Sequence, residues 1–307
     1  MDPRRKAFIS LHIAILFFGF TAILGDLISL GPLPLVWWRL ILAIIFFLPV
    51  LMYRKLFQWD NFYAVRRPLI MVSIFLALHW LTFFGSIKMS NASIGVLCLA
   101  TTSSMTAIIE PMITHRPFRW IELIFGLLII PGMLLVVSSV DSTMYVGIAL
   151  GLISAFMAAG FTTYNKSIVG KGSTLFFTAT ELFFALVLIS ILILGTRFGE
   201  DPISLWPVPL ADWKYLLVLA VICTTICYTL AFDALKHMTA FMANLSVNLE
   251  PVYGIILAAW ILNENEDLDA TFYIGAGLIL MVVFIFPIFE KKLLRRKLRK
   301  PDAGAFP

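Results

Sequence analysis

The sequence predicts an all-α integral membrane protein with ten transmembrane helices, arranged as two inverted five-helix repeats. Three observations carry this. Of its 307 residues, 61% are hydrophobic and only 13% charged, with a mean hydropathy of +0.96. A soluble protein carries about 25% charged residues. Apolar runs long enough to cross a bilayer, roughly 20 residues at about 1.5 Å each, recur along the chain. The basic residues fall in alternate loops, as the positive-inside rule demands.

The elements follow in order. Arg4-Arg5-Lys6 and the apolar run Ala7–Ile28 open the chain like a signal peptide. The run is too long and lacks a small-residue cleavage site, so it is expected to stay as span 1. Leu35–Tyr53, Pro68–Ile87, Ala92–Ile113 and Ile121–Ser139 follow as spans 2 to 5. Val146–Ile168, Leu175–Gly195, Trp213–Ala234, Ala240–Leu262 and Ala270–Phe289 are spans 6 to 10. Such continuous runs exclude a β-barrel, whose strands alternate in polarity. The longest connections are Arg54–Arg67 and Thr196–Asp212, which leaves no room for a soluble catalytic domain.

Charge sets the expected orientation. With the N-terminus inside, all 23 Lys and Arg fall inside except Lys88, Arg197, Lys214 and the intraspan Arg39. Both termini are then cytoplasmic, and Asn263–Asp269 is an acidic outside loop. The tail from 291 to 307 is a basic solvated segment. Orientation accounts for the net charge of +5, so no nucleic-acid partner is implied.

Cys98, Cys223 and Cys227 lie inside apolar runs, with no histidine at metal-ligand spacing. No disulfide framework, metal site or cofactor is expected. Neither a P-loop nor a hydrolase or zinc-protease motif occurs, so no enzyme and no ATP-driven pump is expected.

The chain is organised around Ala234–Glu264. Asn244, Asn248, Glu250 and Pro251 interrupt this apolar stretch. A carboxylate within a span costs roughly 2.5 kcal/mol or more, which makes it a functional-site hypothesis. Proline removes one backbone donor and breaks the helix beside that carboxylate. Broken helices at midplane are how many carriers build their binding sites. Helix–helix glue is the competing role for Asn244, Asn248 and Glu250.

A repeat is visible as well. Lys88–Gly95 (KMSNASIG) aligns with Lys236–Ala243 (KHMTAFMA) at an offset of 148, and Gly19-Phe20-Thr21 with Gly160-Phe161-Thr162 at 141. Spans 1–5 therefore correspond to spans 6–10. An odd number of spans per half turns the second half over. The expected units are residues 1–140 and 141–290. Gly147, Gly151 and Ala155 recur every four residues and form a close-packing seam.

Ala234-Leu235-Lys236, Ala240, Leu249, Pro251, Glu264, and Gly275 with Gly277 form a run that resembles the EamA family of the drug/metabolite transporter superfamily. Trp38-Arg39 and Asn91-Ala92-Ser93 match it in the first half. Two positions depart from it. Ser103 stands where the repeat would place the proline, and Arg116 where it would place the acid, which leaves the kink of span 4 open. The resemblance implies ten spans and carriage of small metabolites, often by export, in a bacterial cytoplasmic membrane.

The candidate substrate-binding set is His79, Trp80, Phe83, Tyr164, Tyr228, Asn244, Asn248 and Glu250. The candidate coupling or charge-bearing set is Arg39, His79, Glu181 and Glu250. Histidine titrates near physiological pH. Packing against a hydroxyl is the competing role for His79. Arg39, about one turn from the outer face, either snorkels to water or pairs with Glu250. His12, Glu110, Glu122 and Asp233 lie near inner ends and are expected to be structural. An aromatic lining with one polar end suits a large neutral amino acid better than a multiply charged phosphate, which wants several Arg or Lys. The expected function is a secondary transporter working by alternating access, with proton coupling left as an open option. A membrane-embedded transferase or lipid-modifying enzyme would need a clustered acid or histidine set at one face, and a channel would conduct without saturation. The sequence carries no signal for oligomeric state.

Overall fold

The computed structural model describes residues 2–196, 203–264 and 268–298. The described residues are helical, with no strand among them. Among the described residues, nine helical stretches are long and apolar enough to cross a membrane: Pro3–Leu27, Pro32–Tyr53, Trp59–Met89, Ala92–Thr114, Trp120–Ser139, Ser142–Ile168, Thr174–Thr196, Asp212–Ala234 and Ala240–Ile261. The last helix carries a shorter apolar part, Ala270–Phe286. The outward faces carry exposed Ile, Leu, Phe and Trp on nearly every helix, a surface suited to lipid and not to water.

The helices are α1 (Pro3–Leu27), α2 (Pro32–Tyr53), α3 (Trp59–Met89), α4 (Ala92–Leu99) and α5 (Thr102–Thr114). Then come α6 (Trp120–Leu127), α7 (Ile129–Ser139), α8 (Tyr145–Ile168) and α9 (Thr174–Thr196). The chain continues as α10 (Asp212–Val218), a π-helical stretch Leu219–Ile226, α11 (Cys227–Ala234), α12 (Ala240–Val247), α13 (Glu250–Ile261) and α14 (Ala270–Leu298). Local chemistry starts several of them. Asp2 accepts from the Arg4 amide at 3.2 Å, and Pro3 and Pro32 sit in first turns, where the missing N–H costs nothing.

Two boundaries lie furthest from the sequence expectation. Trp59–Arg67 is helix and not loop, so α3 begins nine residues before Pro68. Its charged residues lie outside the apolar part, where a helix tolerates them. The basic segment after Phe289 is helical as far as Leu298, because Lys, Leu and Arg are all good helix formers. Residues 299–307, Arg197, and residues 265–267 of the acidic loop lie outside the described residues.

Span 4 breaks without a proline. It is interrupted at Ala100-Thr101, where the bonds tighten to Ala100 N–H···O Leu97 (3.0 Å) and Thr101 N–H···O Cys98 (3.1 Å). Span 9 breaks at Asn248-Leu249, the same offset of 148, with Leu249 N–H···O Ser246 at 3.1 Å. Pro111 lies inside α5, well beyond the break.

The two broken spans run antiparallel, and their ends are joined reciprocally. Asn91 caps α4 by accepting from the Ile94 amide at 2.8 Å, and Thr239 caps α12 by accepting from Met242 at 3.1 Å. Glu264, after α13, accepts from the Ala92 and Ser93 amides at 2.9 and 3.0 Å. Glu110, in α5, accepts from the Ala240 and Phe241 amides, both at 2.9 Å. Each broken span thus ends on a carboxylate that satisfies the free N–H groups opening the other, where the helix dipole also favours negative charge. This corrects the expectation that the first half lacks its acid. Glu110 takes that part six residues before Arg116, and Arg116 pairs with it at 3.1 Å and with Glu122 at 2.5 Å.

The seam expected on α8 packs as written. A Cβ on Gly147 would come within 2.7 Å of Ser90 Cβ, and one on Gly151 within 2.7 Å of Cys98 Cβ. Without side chains there, α8 lies flat against α3 and α4. The main core joins α1, α2, α3, α8, α9 and α11.

Candidate functional site

A cavity lies inside the bundle, between the half-helices of span 9 and helices α1, α2, α3, α8 and α11. Its polar end is made by Arg39, Glu250, Thr21 and Asn244. His79, Trp80, Phe83, Phe161 and Tyr228 form an aromatic wall. Leu11, Leu235 and Ala243 extend the lining toward the end of the bundle that carries the N-terminus.

Arg39 is 2% exposed, so it turns into the core and does not snorkel. Its Nε donates to Thr224 Oγ1 at 2.6 Å, and its guanidinium carbon sits 3.7 Å from the Trp80 ring centre. The π-helical stretch makes this contact available. There Thr224 and Thr225 hydroxyls bond to carbonyls five residues back, at Leu219 and Ala220, and the wider turn directs Thr224 toward α2. Such wide turns recur at functional sites. Arg39 Nη1 has no hydrogen-bond partner among the described residues.

Glu250 opens α13 beside Pro251 and is 5% exposed. Among the described residues no hydrogen bond reaches its carboxylate, and no ion pair joins it to Arg39. Arg39, whose buried Nη1 has no hydrogen-bond partner among the described residues, and Glu250, whose carboxylate has none, thus line the same cavity. The two carry opposite charges and form no salt bridge with each other.

The other candidates divide. His79 lines the cavity, and its Nδ1 lies 2.7 Å from Ser154 Oγ on α8. Trp80, Phe83, Tyr228 and Asn244 also line it. Asn244 Nδ2 donates to Thr106 Oγ1 at 2.8 Å, tying the two broken spans together. Asn248 does not line the cavity; its Nδ2 donates to Ser103 Oγ at 2.9 Å as a second tie. Tyr164 does not line it either. Its ring packs against Phe75 at 5.7 Å, because it follows Phe161 by three residues but leans toward α3. Glu181 lies behind the wall, bonded to Tyr228 and Asn165.

Sequence reasoning assigned no role to Phe161 or to Ser154, which meet the site only through helix packing. His12 bonds to the Phe8 carbonyl at 2.8 Å. Asp233 accepts from Thr174 Oγ1 at 3.1 Å and pairs with Lys236.

At the end opposite the N-terminus, polar links join neighbouring helices. Ser29 N–H and Oγ–H both donate to Asp212 Oδ2, at 3.0 and 2.7 Å. Lys88 Nζ donates to the carbonyls of Asp26 and Ile28, at 3.1 and 2.6 Å. Trp38 packs edge-on against Trp206 and Trp213, at 4.9 and 5.0 Å.

A buried cavity between paired broken helices fits a membrane transporter, and sequence comparison agrees. The family model of the EamA-like transporter family matches twice, over residues 5–138 and 145–287. The chain belongs to the EamA-like transporter family. The proteins of this family are membrane transporters, so this EamA-like chain is an integral membrane protein of the drug/metabolite transporter type. No curated protein is similar enough in sequence to match. Among solved structures, one crystal structure superimposes with a TM-score of 0.67 at 14% identity, covering 92% of this chain and 98% of that one. That likeness concerns the fold alone.

Proposed function

We propose that the protein is a secondary transporter for a small amphipathic zwitterion with an apolar or aromatic side chain, of the large neutral amino acid type. The observation that carries this is that Arg39 and Glu250, of opposite charge and not paired with each other, line one cavity and face an aromatic wall. A guanidinium edge fits a carboxylate and Glu250 fits an ammonium group. The wall of His79, Trp80, Phe83 and Tyr228 takes the side chain. A phosphorylated sugar would meet one guanidinium and be repelled by Glu250.

Ten spans in two units, residues 1–140 and 141–290, complete the reading, with both termini in the cytoplasm. The reciprocal caps between spans 4 and 9 support an inverted relation of the halves. A cavity reaching toward the N-terminal end suits loading from the cytoplasm and hence export. The expected membrane is a bacterial cytoplasmic one.

The test of the substrate class is competition in proteoliposomes. L-Phenylalanine and L-leucine are expected to exchange saturably and to compete with each other, with hexose phosphates inert. Saturable hexose-phosphate exchange untouched by the amino acids would refute the assignment. Orientation has its own test. A cysteine introduced at Asp141 or Glu266 (the latter outside the described residues) is expected to react with an impermeant thiol reagent from outside intact cells, and one at Lys297 only after permeabilisation. Reaction of the Lys297 cysteine in intact cells would invert the topology.

A further inference from the structure

Behind the cavity wall lies a second acidic site. Glu181 of α9 is fully buried, at 0% exposure, and does not line the cavity. Its Oε2 accepts the Tyr228 hydroxyl at 2.8 Å and the Asn165 amide at 3.5 Å. Asn165 Nδ2 also donates to the Tyr228 oxygen at 3.0 Å. Glu181 Oε1 and Asn165 Oδ1 have no hydrogen-bond partner among the described residues. Tyr228 and Asn165 both line the cavity. From the cavity inward the order is therefore Tyr228 and then Glu181, one hydrogen bond apart.

We infer that Glu181 is the proton-binding site of this carrier, reached from the cavity through the Tyr228 hydroxyl and separate from the substrate anchor Glu250. The inference rests on the transport reading above. The groups around Glu181 support it element by element. On α2, Arg39 is held by Thr224 and Trp80. On α3, His79 is held by Ser154. On α8, Lys166 Nζ donates to the Leu235 carbonyl at 2.7 Å, and Asn165 is neutral. On α11, Asp233 is paired with Lys236, and Cys227 and Tyr228 are neutral when protonated. No cation among the described residues bonds to Glu181, and an uncompensated buried charge is costly. A bound proton removes that charge. A metal cation fits poorly, because Asn165 turns its NH₂ donors toward Glu181 Oε2 and the Tyr228 oxygen.

The transfer step balances. Tyr228 carries a single hydroxyl hydrogen, and while Glu181 is ionised that hydrogen is committed to Oε2. When a hydronium ion in the cavity delivers a proton to the Tyr228 oxygen, the original hydrogen moves to Oε2. Tyrosine ends neutral, Glu181 gains one proton and loses its charge, and the water returns to the cavity. The neutral acid then donates to the Tyr228 oxygen, which frees the hydroxyl hydrogen to point into the cavity. The state of Glu181 thus decides whether Tyr228 offers the substrate a donor or an acceptor. That is a linkage between proton and substrate, and it acts equally in both directions.

Infrared difference spectroscopy on the full chain in lipid nanodiscs, with a pH jump and no substrate, reads the carbonyl stretch of a protonated carboxylic acid. The expected result is a titrating band that is absent in Glu181→Gln and shifted in Tyr228→Phe, which removes the bond to Oε2. Proteoliposomes carrying L-phenylalanine as the probe supply the second readout. A gradient of about one pH unit supports about tenfold accumulation at one proton per substrate, and Glu181→Gln is expected to abolish it. A band that survives Glu181→Gln overturns the assignment, as does pH-driven accumulation that persists in this variant. Accumulation driven by a sodium gradient and lost in Glu181→Gln overturns it too. Should Glu181→Gln fail to fold, an unshifted band in Tyr228→Phe overturns it. A band that maps to Glu181 while L-phenylalanine is not carried supports the proton site and refutes only the substrate class.

Discussion

Glu250→Gln is expected to weaken apparent affinity for L-phenylalanine about thirtyfold, equivalent to the roughly 2 kcal/mol of a charge-assisted hydrogen bond, while leaving the empty protein as stable as before. The second half of that expectation follows from the geometry. No described group bonds to the Glu250 carboxylate, so glutamine in its place breaks no hydrogen bond within the bundle. Arg39→Ala is expected to lose affinity by a similar factor and also to destabilise, since Thr224 and Trp80 both lose a partner. If the two residues hold opposite ends of one zwitterion, the double variant should lose less than the product of the single losses. Counterflow in proteoliposomes gives the apparent KM, and thermal unfolding of the purified variants gives stability. Unchanged transport together with lowered stability in Glu250→Gln would make the residue a structural strut.

Glu110→Ala and Glu264→Ala are each expected to cost about 3 kcal/mol of stability, because each leaves two helix-opening N–H groups without an acceptor in the bundle. The Gln variants retain one acceptor oxygen and should recover about half. Arg116 also pairs with Glu110 and keeps Glu122 when that partner is lost, so this pairing adds little to the difference between the two sites. Asp233→Ala serves as the contrast. Asp233 is 54% exposed in its pair with Lys236, and exposed ion pairs contribute at most about 1 kcal/mol. Thermal unfolding in one detergent compares all five variants. Equal stability of Glu110→Ala and Asp233→Ala would show that the caps between spans 4 and 9 hold nothing together. Because each carboxylate grips the opposite span, the double variant Glu110→Ala with Glu264→Ala should also lose transport, as the two broken helices separate.

The sequence by itself determined what is local. Hydropathy over a window of about 20 residues is enough to mark a span, so membrane residence and most span positions were legible. The break of span 9 was legible too, because Pro251 carries its own steric cause. Arg39, Glu181 and Glu250 stood out because a charge inside an apolar run is costly wherever the helix points. Tertiary structure decided what depends on helix rotation and on partners far along the chain. Arg39 turns inward because Thr224 and Trp80 wait there, on other helices. Tyr164 and Phe161 are three residues apart on one helix, yet only Phe161 reaches the cavity, since the packing of α8 on α3 sets which edge of the helix faces it. Span 4 breaks without proline in a setting made by the other half of the chain, where Glu264, more than 160 residues away, holds its opening turn and Ser103 and Thr106 accept from Asn248 and Asn244. No window of sequence contains those partners. A side chain's direction is settled by the neighbour that satisfies it, and here the neighbours belong to the other half of the chain.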